Sequence, residues 1–279
     1  MAYRIIKGSF HVAGYSPDGD SVRFEACNPN LWNLFKWKSQ ATKKAKNKQL
    51  RLEAIDALET HYEESHQPRS FGLAAMEAML GMIGVTDIVY NLNITKIVSA
   101  KDGTPGYLAV FALDIYDRPI SLVFSGSTVL PDGAEVTLAE LGIEQSVNLQ
   151  LLRLGLAYPT FYTSMPDELI DRFTSETALA RAGKVGLWTL DKTMDFMFWN
   201  RETINDDIVI LPKLFRRLTT FLDSASSYNE LKAFLLKSND QLILRPTRQA
   251  TTLGKLIEVS DRRIQLTVHP ETMVFKEKR

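Results

Sequence analysis

Two short segments hold the side chains with the most chemical promise: Asp18-Gly19-Asp20-Ser21-Val22-Arg23-Phe24, and Arg51-Leu52-Glu53-Ala54-Ile55-Asp56-Ala57-Leu58-Glu59. Carboxylates beside arginines suit phosphodiester hydrolysis, which needs a water held in line, a base to take its proton, and positive charge where the phosphate grows more anionic. A hard cation and arginine forks supply such charge. At strand spacing Arg51, Glu53 and Ile55 share one face and Leu52, Ala54 and Asp56 the other, with Glu59 just past the strand end. Periodicity alone does not gather them. Asp18-Gly19-Asp20 by itself is also what an ordinary hairpin turn uses.

The elements that must position these groups are legible in outline. Residues 4–24 alternate and are rich in Ile, Phe and Val, with turn chemistry from Gly14 to Gly19, so a hairpin is expected whose second strand starts at Ser21. Residues 28–48 read as an insertion with Trp32, Phe35 and Trp37, and with lysines at 36, 38, 43, 44, 46 and 48 among which no acid falls. Leu50–Asp56 is expected as one short strand. Phe71, Ala75, Ala78, Met79 and Met82 recur at helical spacing, and Gly81 and Gly84 lie where that helix should stop. Strands are expected at 86–99, 107–115 and 118–124. Ser146 can cap a helix that ends at Gly155, and Pro166 opens another that stops at Gly183.

Short strands interleaved with a few helices predict an α+β fold, a small barrel with helices packed on it, closing near Gly186-Leu187-Trp188. Further on, Pro212 and the Ser227/Glu230 capping box start two amphipathic helices, and 241–268 reads as a few short strands. The expected organisation is a main domain at 1–190, with the insertion at 28–48, and a smaller α+β module at 191–279.

On the two acidic segments the chain resembles the staphylococcal nuclease (thermonuclease) family, whose pattern is Asp-Gly-Asp-Thr followed by Arg-x-x-x-(Ile/Val)-Asp-(Thr/Ala)-Pro-Glu. Later landmarks agree in order: Leu108-Ala109, Val147-Asn148, Leu152-Arg153-Leu154-Gly155-Leu156-Ala157, and Ala178 to Trp188. The resemblance covers roughly residues 5–190 and implies an OB-type five-stranded barrel with packed helices. It implies that Asp20 and Asp56, with the backbone carbonyl of Ala57, hold Ca²⁺ or another divalent cation such as Mg²⁺ or Mn²⁺. Glu59 would position or deprotonate the attacking water, Arg51 would fork onto the phosphate, and Asp18 and Ser21 would support the metal ligands. Leu58 replaces the family's Pro, so a less rigid turn is expected before Glu59. Registering Leu108-Ala109 on the family's Leu-Ala strand puts Gly106 where a second catalytic arginine belongs, and Thr104 and Gly103 at the usual Tyr and Lys of the substrate pocket. Arg118 or Arg69 would have to reach in to replace that arginine.

Lys43, Lys44, Lys46 and Lys48 are candidate nucleic-acid contacts, because cations grip the backbone and the neighbouring aromatics can stack on bases; the plainer alternative is a solvated loop. Phe161, beside Tyr162, falls near the family's base-stacking tyrosines, but it is equally plausible as core. His61 and His66 flank Glu63 and Glu64 at a spacing that matches no standard zinc pattern, and read as surface histidines.

Lys+Arg and Asp+Glu are equal at 33 each, so any contact with nucleic acid must come from a local patch. The single cysteine, Cys27, cannot form an internal disulfide, and Met1–Gly8 lacks a signal-peptide pattern, so a cytoplasmic protein is expected. No apolar run reaches the roughly 18 residues that span a bilayer, and no membrane partner is expected. These features point to a divalent-metal-dependent nuclease acting on DNA or RNA. The main rival is a catalytically weak or inactive module that binds nucleic acid or a protein partner; a third reading gives the work to residues 191–279 with the barrel as scaffold.

Overall fold

The alternation of the first residues becomes a strand, Tyr3–His11, that pairs antiparallel with Arg23–Ala26 in a register setting Phe10 opposite Phe24. The computed structural model describes residues 2–224 and 227–277. Contacts divide the chain into two compact units. The first holds the residues up to Glu53 together with Ala75–Leu151, and the second holds Ala54–Ala74 and the chain from Leu152 onward.

The first unit carries a nearly closed, barrel-shaped sheet of seven strands. Its order is Lys48–Gln49, Arg23–Ala26, Tyr3–His11, Thr104–Leu113, Pro119–Ser125 and Arg51–Leu52, with Glu135–Val136 also on Tyr3–His11. Tyr3, Ile5, Phe10, Phe24, Leu108 and Leu122 are fully buried along it, and the alternation of the first strand changes phase at Ile5 and Ile6, both of which are buried. The count exceeds five because short two-residue pieces extend the ladder. Gly8 faces Gly106 across the main pair, and a Cβ at Gly8 would meet the Phe24 ring at 2.7 Å. The glycine pair therefore makes room for the edge-to-face Phe10 and Phe24 rings, whose centroids lie 5.1 Å apart.

Two sequence expectations fail here. Residues 86–99 form no single strand: Thr86–Tyr90 and Ile97–Lys101 make a two-stranded ribbon, and the Asn91 side chain accepts from the Thr95 and Lys96 amides to close its tip. The expected strand Leu50–Asp56 is broken at Ala54, whose φ of 71° lies in the left-handed region. Arg51–Leu52 joins the barrel in parallel with Pro119–Ser125, and Ile55–Ala57 joins a different sheet.

Among the described residues the α-helices are α1 (Gln40–Lys44), which lies unforeseen within the 28–48 insertion, and α2 (Arg69–Met82), α3 (Val147–Arg153), α4 (Asp167–Ala182), α5 (Pro212–Asp223) and α6 (Leu231–Lys237), which start and stop close to where caps and apolar spacing put them. Ser146 Oγ accepts from Leu149 N at the start of α3. The Ser227/Glu230 capping box forms one turn ahead of α6.

The second unit has its own core. Leu58, Tyr158, Leu187 and Trp188 pack in one cluster with Phe196, Phe198, Leu214, Phe215, Leu218, Leu242, Ile264 and Phe275. Around it lie Ile55–Ala57 paired with Ala157–Pro159, a four-stranded sheet (Phe161–Tyr162, Met273–Phe275, Gln241–Leu244, Gln249–Thr252) and a three-stranded one (Asp195–Met197, Arg263–Leu266, Ile257–Ser260). Gly155 and Gly186 both have positive φ, and Leu187 N donates to Gly155 O at 2.8 Å. A Cβ on either glycine would run into the other's neighbouring backbone, which gives the Gly-Leu-Ala and Gly-Leu-Trp landmarks a common purpose. Residues 191–277 share a unit with 152–190, so the compact units do not divide at 190.

Candidate active site

Within the first unit, Asp18, Asp20 and Ser21 sit on the turn after the first strand. Asp18 and Ser21 form an isolated antiparallel bridge, and Asp20 O accepts from Leu52 N at 2.9 Å, which ties this turn to the residue after Arg51. Ser21 is buried, whereas Asp18, Asp20 and Arg51 are half-buried. The chain leaving Arg51 is held by Asn148 of α3. Its side chain accepts from Val123 N at 2.9 Å and donates to Glu53 O and Ser121 O at 2.9 and 3.0 Å, satisfying backbone groups where the barrel ladder gives out.

Gly106 has no space for a side chain: a Cβ there would overlap the Phe10 ring and lie 2.6 Å from the Phe124 carbonyl oxygen. Arg118 is committed to its own turn, with Nε 2.7 Å from Asp114 Oδ2. Arg69 is exposed at the start of α2 in the second unit.

The second unit holds Asp56, Ala57 and Glu59. Asp56 pairs with Tyr158 in its short sheet and is buried; Leu58, in place of the family's Pro, points into the core. The turn is braced instead by Gln67, whose Oε1 accepts from Glu59 N at 3.2 Å, whose N donates to Glu59 O at 2.8 Å, and whose Nε2 donates to Ile210 O at 2.7 Å. Onto this loop comes a residue the sequence reading missed, Arg216 of α5. Its Nη2 and Nη1 fork onto the two oxygens of Asp56 at 2.7 and 3.2 Å, and Nη1 also donates to Glu59 Oε1. Burial opposes the charge on Arg216, but the carboxylates of Asp56 and Glu59 outweigh it and hold the guanidinium proton more firmly than usual. A signal did exist. Positions 212, 213, 219 and 220, within a turn of Arg216 on α5, are Pro, Lys, Thr and Thr, so the helix itself offers it no acid to pair with.

Ca²⁺ and its relatives take six or more oxygens. Here both Asp56 oxygens and one from Glu59 are turned to a guanidinium, and among the described residues no three His, Cys, Asp or Glu side chains are grouped to hold a metal ion. As it stands, the donor set at Asp56 fits an arginine and not a divalent ion. His61 is exposed, and His66 faces Asp206 at 4.0 Å.

The candidate nucleic-acid contacts divide. Lys43 is half-buried and Lys44 and Lys46 are exposed, Lys46 pairing with Glu25 at 3.1 Å. Lys48 does not belong with them: it is 2% exposed, donates to the carbonyls of Thr42, Lys43 and Ala45, and lies over the Trp37 ring. Phe35 and Trp37 each pack against Trp32, with the Trp37 indole donating to Trp32 O at 2.7 Å. Phe161 is fully buried in a strand beside Val274, leaving no ring face for a base.

An α+β protein whose barrel sheet carries Arg51 at its edge, and whose second unit carries an acid–arginine cluster at residues 56–59 and 216, is the class these features define. The staphylococcal nuclease homologue family matches residues 49–190, just over half of the 279, and the chain belongs to that family. No curated protein matches the chain. The family match includes Arg51, Asp56, Ala57 and Glu59 and begins after Asp18, Asp20, Ser21 and the lysine segment.

Proposed function

We propose that this chain is a nucleic-acid-binding member of the staphylococcal nuclease family in which hydrolysis of DNA or RNA is slow or absent. The observation that carries the reading is Gly106. With the Phe10 ring and the Phe124 carbonyl closing over it, this position cannot hold the second arginine that the resemblance requires. Loss of one transition-state donor costs on the order of 10²–10³ in rate, and more when the donor is an arginine finger. The exposed lysines at 36, 38, 44 and 46, with Lys43 beside them, supply the local positive field that a net-neutral chain otherwise lacks.

A second reading, a divalent-metal-dependent phosphodiesterase with Asp20 and Asp56 as ligands and Glu59 as base, is favoured by the retention of Arg51, Asp56 and Glu59 inside the family match. Incubation of the chain with single- and double-stranded DNA and RNA, in Ca²⁺, Mg²⁺, Mn²⁺ or EDTA, beside Glu59→Gln, separates the two. The expected result is salt-sensitive binding whose slope against salt shrinks when Lys43, Lys44 and Lys46 are neutralised, with little cleavage in any metal. Fast cleavage that needs both metal and Glu59 establishes the second reading in its place.

A further inference from the structure

We propose that Arg216 is the resident cation of this site: its guanidinium takes the charge-compensating place beside Asp56 and Glu59 that a divalent ion would take, and excludes such an ion while α5 is docked. The inference rests on Asp56 and Glu59 being the nuclease-family carboxylates, and its first test reads cation binding rather than cleavage, so that it can fail while the binding of nucleic acid stands.

Three observations carry it. The first is the geometry of the contact, a fork on both oxygens of one acid with a third bond to the second acid, so that one cation bridges two anions. Arg217 next to it is not an alternative partner, because its guanidinium is forked onto Asp240. The second is that the arginine is delivered by a rigid element. Pro212 starts α5, Leu214, Phe215, Leu218 and Phe221 bury its inner face, and Gln67 links the Glu59 loop directly to Ile210, two residues before the helix. The Arg216 backbone is therefore fixed beside the loop, and its guanidinium leaves the carboxylates only by giving up its bonds to both Asp56 and Glu59. The third is the balance of charge. Without Arg216 the two carboxylates would face each other with that compensation gone, whereas an incoming divalent ion would have to displace a guanidinium already holding both Asp56 oxygens.

An alternative role for Arg216, the missing transition-state arginine, asks its N–H groups to face the phosphate. Three of the five are spent on Asp56 and Glu59.

The test is calorimetric titration of CaCl₂, then MnCl₂, into the full chain and into Arg216→Gln, Arg216→Gln/Asp56→Asn and Asp56→Asn, with circular dichroism to confirm folding. The wild-type chain is expected to show no saturable binding that depends on Asp56. Arg216→Gln is expected to gain a cation site at least about tenfold tighter than any in the wild type, and the double variant to lose it. Wild-type Ca²⁺ binding that Asp56→Asn weakens about tenfold or more overturns the proposal, and so does a folded Arg216→Gln that gains no site. If Arg216→Gln does not fold, melting of the wild type decides. A melting temperature unmoved by Ca²⁺ but lowered by Asp56→Asn supports the resident arginine, and any other pattern overturns it. A metal-independent cleavage that disappears in Arg216→Lys likewise overturns it, in favour of the transition-state role.

Discussion

Glu53 lies inside the first unit, 3% exposed, and burial pushes its carboxyl up from the ordinary 4.5 to about 7, with the Tyr3 hydroxyl beside it tempering the rise. Since the folded chain holds this proton more tightly than the unfolded one, the contribution of Glu53 to stability is whole below about pH 4.5 and is lost as pH climbs through 7. At about 1.4 kcal/mol per pH unit the loss is on the order of 3 kcal/mol. Glu53→Gln is therefore expected to gain on the wild type steadily between pH 5 and 7 and to keep the advantage above it, as followed by urea denaturation across pH. A constant difference between the two proteins would contradict this. At this scale the sequence was half legible. Asp20, Arg51, Asp56 and Glu59 stand out by type and order, but Arg216, 157 residues from Glu59, announces itself only as a helical arginine with no acid nearby. Phe161 and Lys48 misled for the converse reason. An aromatic and a lysine look the same in sequence whether they face water or, as here, fill a core and tie off the carbonyls of a short helix.

Elements were read best where local chemistry decides them. Caps and glycine stops marked α2 to α6 because those signals act over a few residues. The ribbon at 86–101 was misread because its tip is made by an Asn side chain rather than by Gly or Pro, and the break at Ala54 because alanine carries no outward sign of left-handed backbone. What holds the chain through that break is Asn148, fully buried, which serves three backbone groups at once. Asn148→Ala should cost about 3 kcal/mol, read as a lower urea midpoint at unchanged slope, since three buried polar groups lose a partner. A cost below about 1 kcal/mol would mean that water or another side chain replaces the amide.

At the scale of the whole molecule, the family match ends at 190 but the packing does not. Leu58, Tyr158, Ala180, Leu187 and Trp188 are covered in one cluster by residues from Phe196 to Phe275. A chain cut after Leu190 is expected to lose the cooperative melt of that core. Amides of 55–57 and 157–159 should then exchange fast with solvent, whereas rapid exchange confined to a few terminal residues would show a self-sufficient domain. The same arrangement imposes an order on biosynthesis. In the four-stranded sheet, Met273–Phe275 runs between Phe161–Tyr162 and Gln241–Leu244, so an interior strand of that sheet leaves the ribosome after its neighbours. The acidic loop at 56–59 emerges some two hundred residues ahead of that strand, and more than a hundred and fifty ahead of its arginine. Throughout that interval the nascent chain carries these carboxylates without their α5 guanidinium, and an unclosed sheet, the stage at which a chaperone would find most to hold.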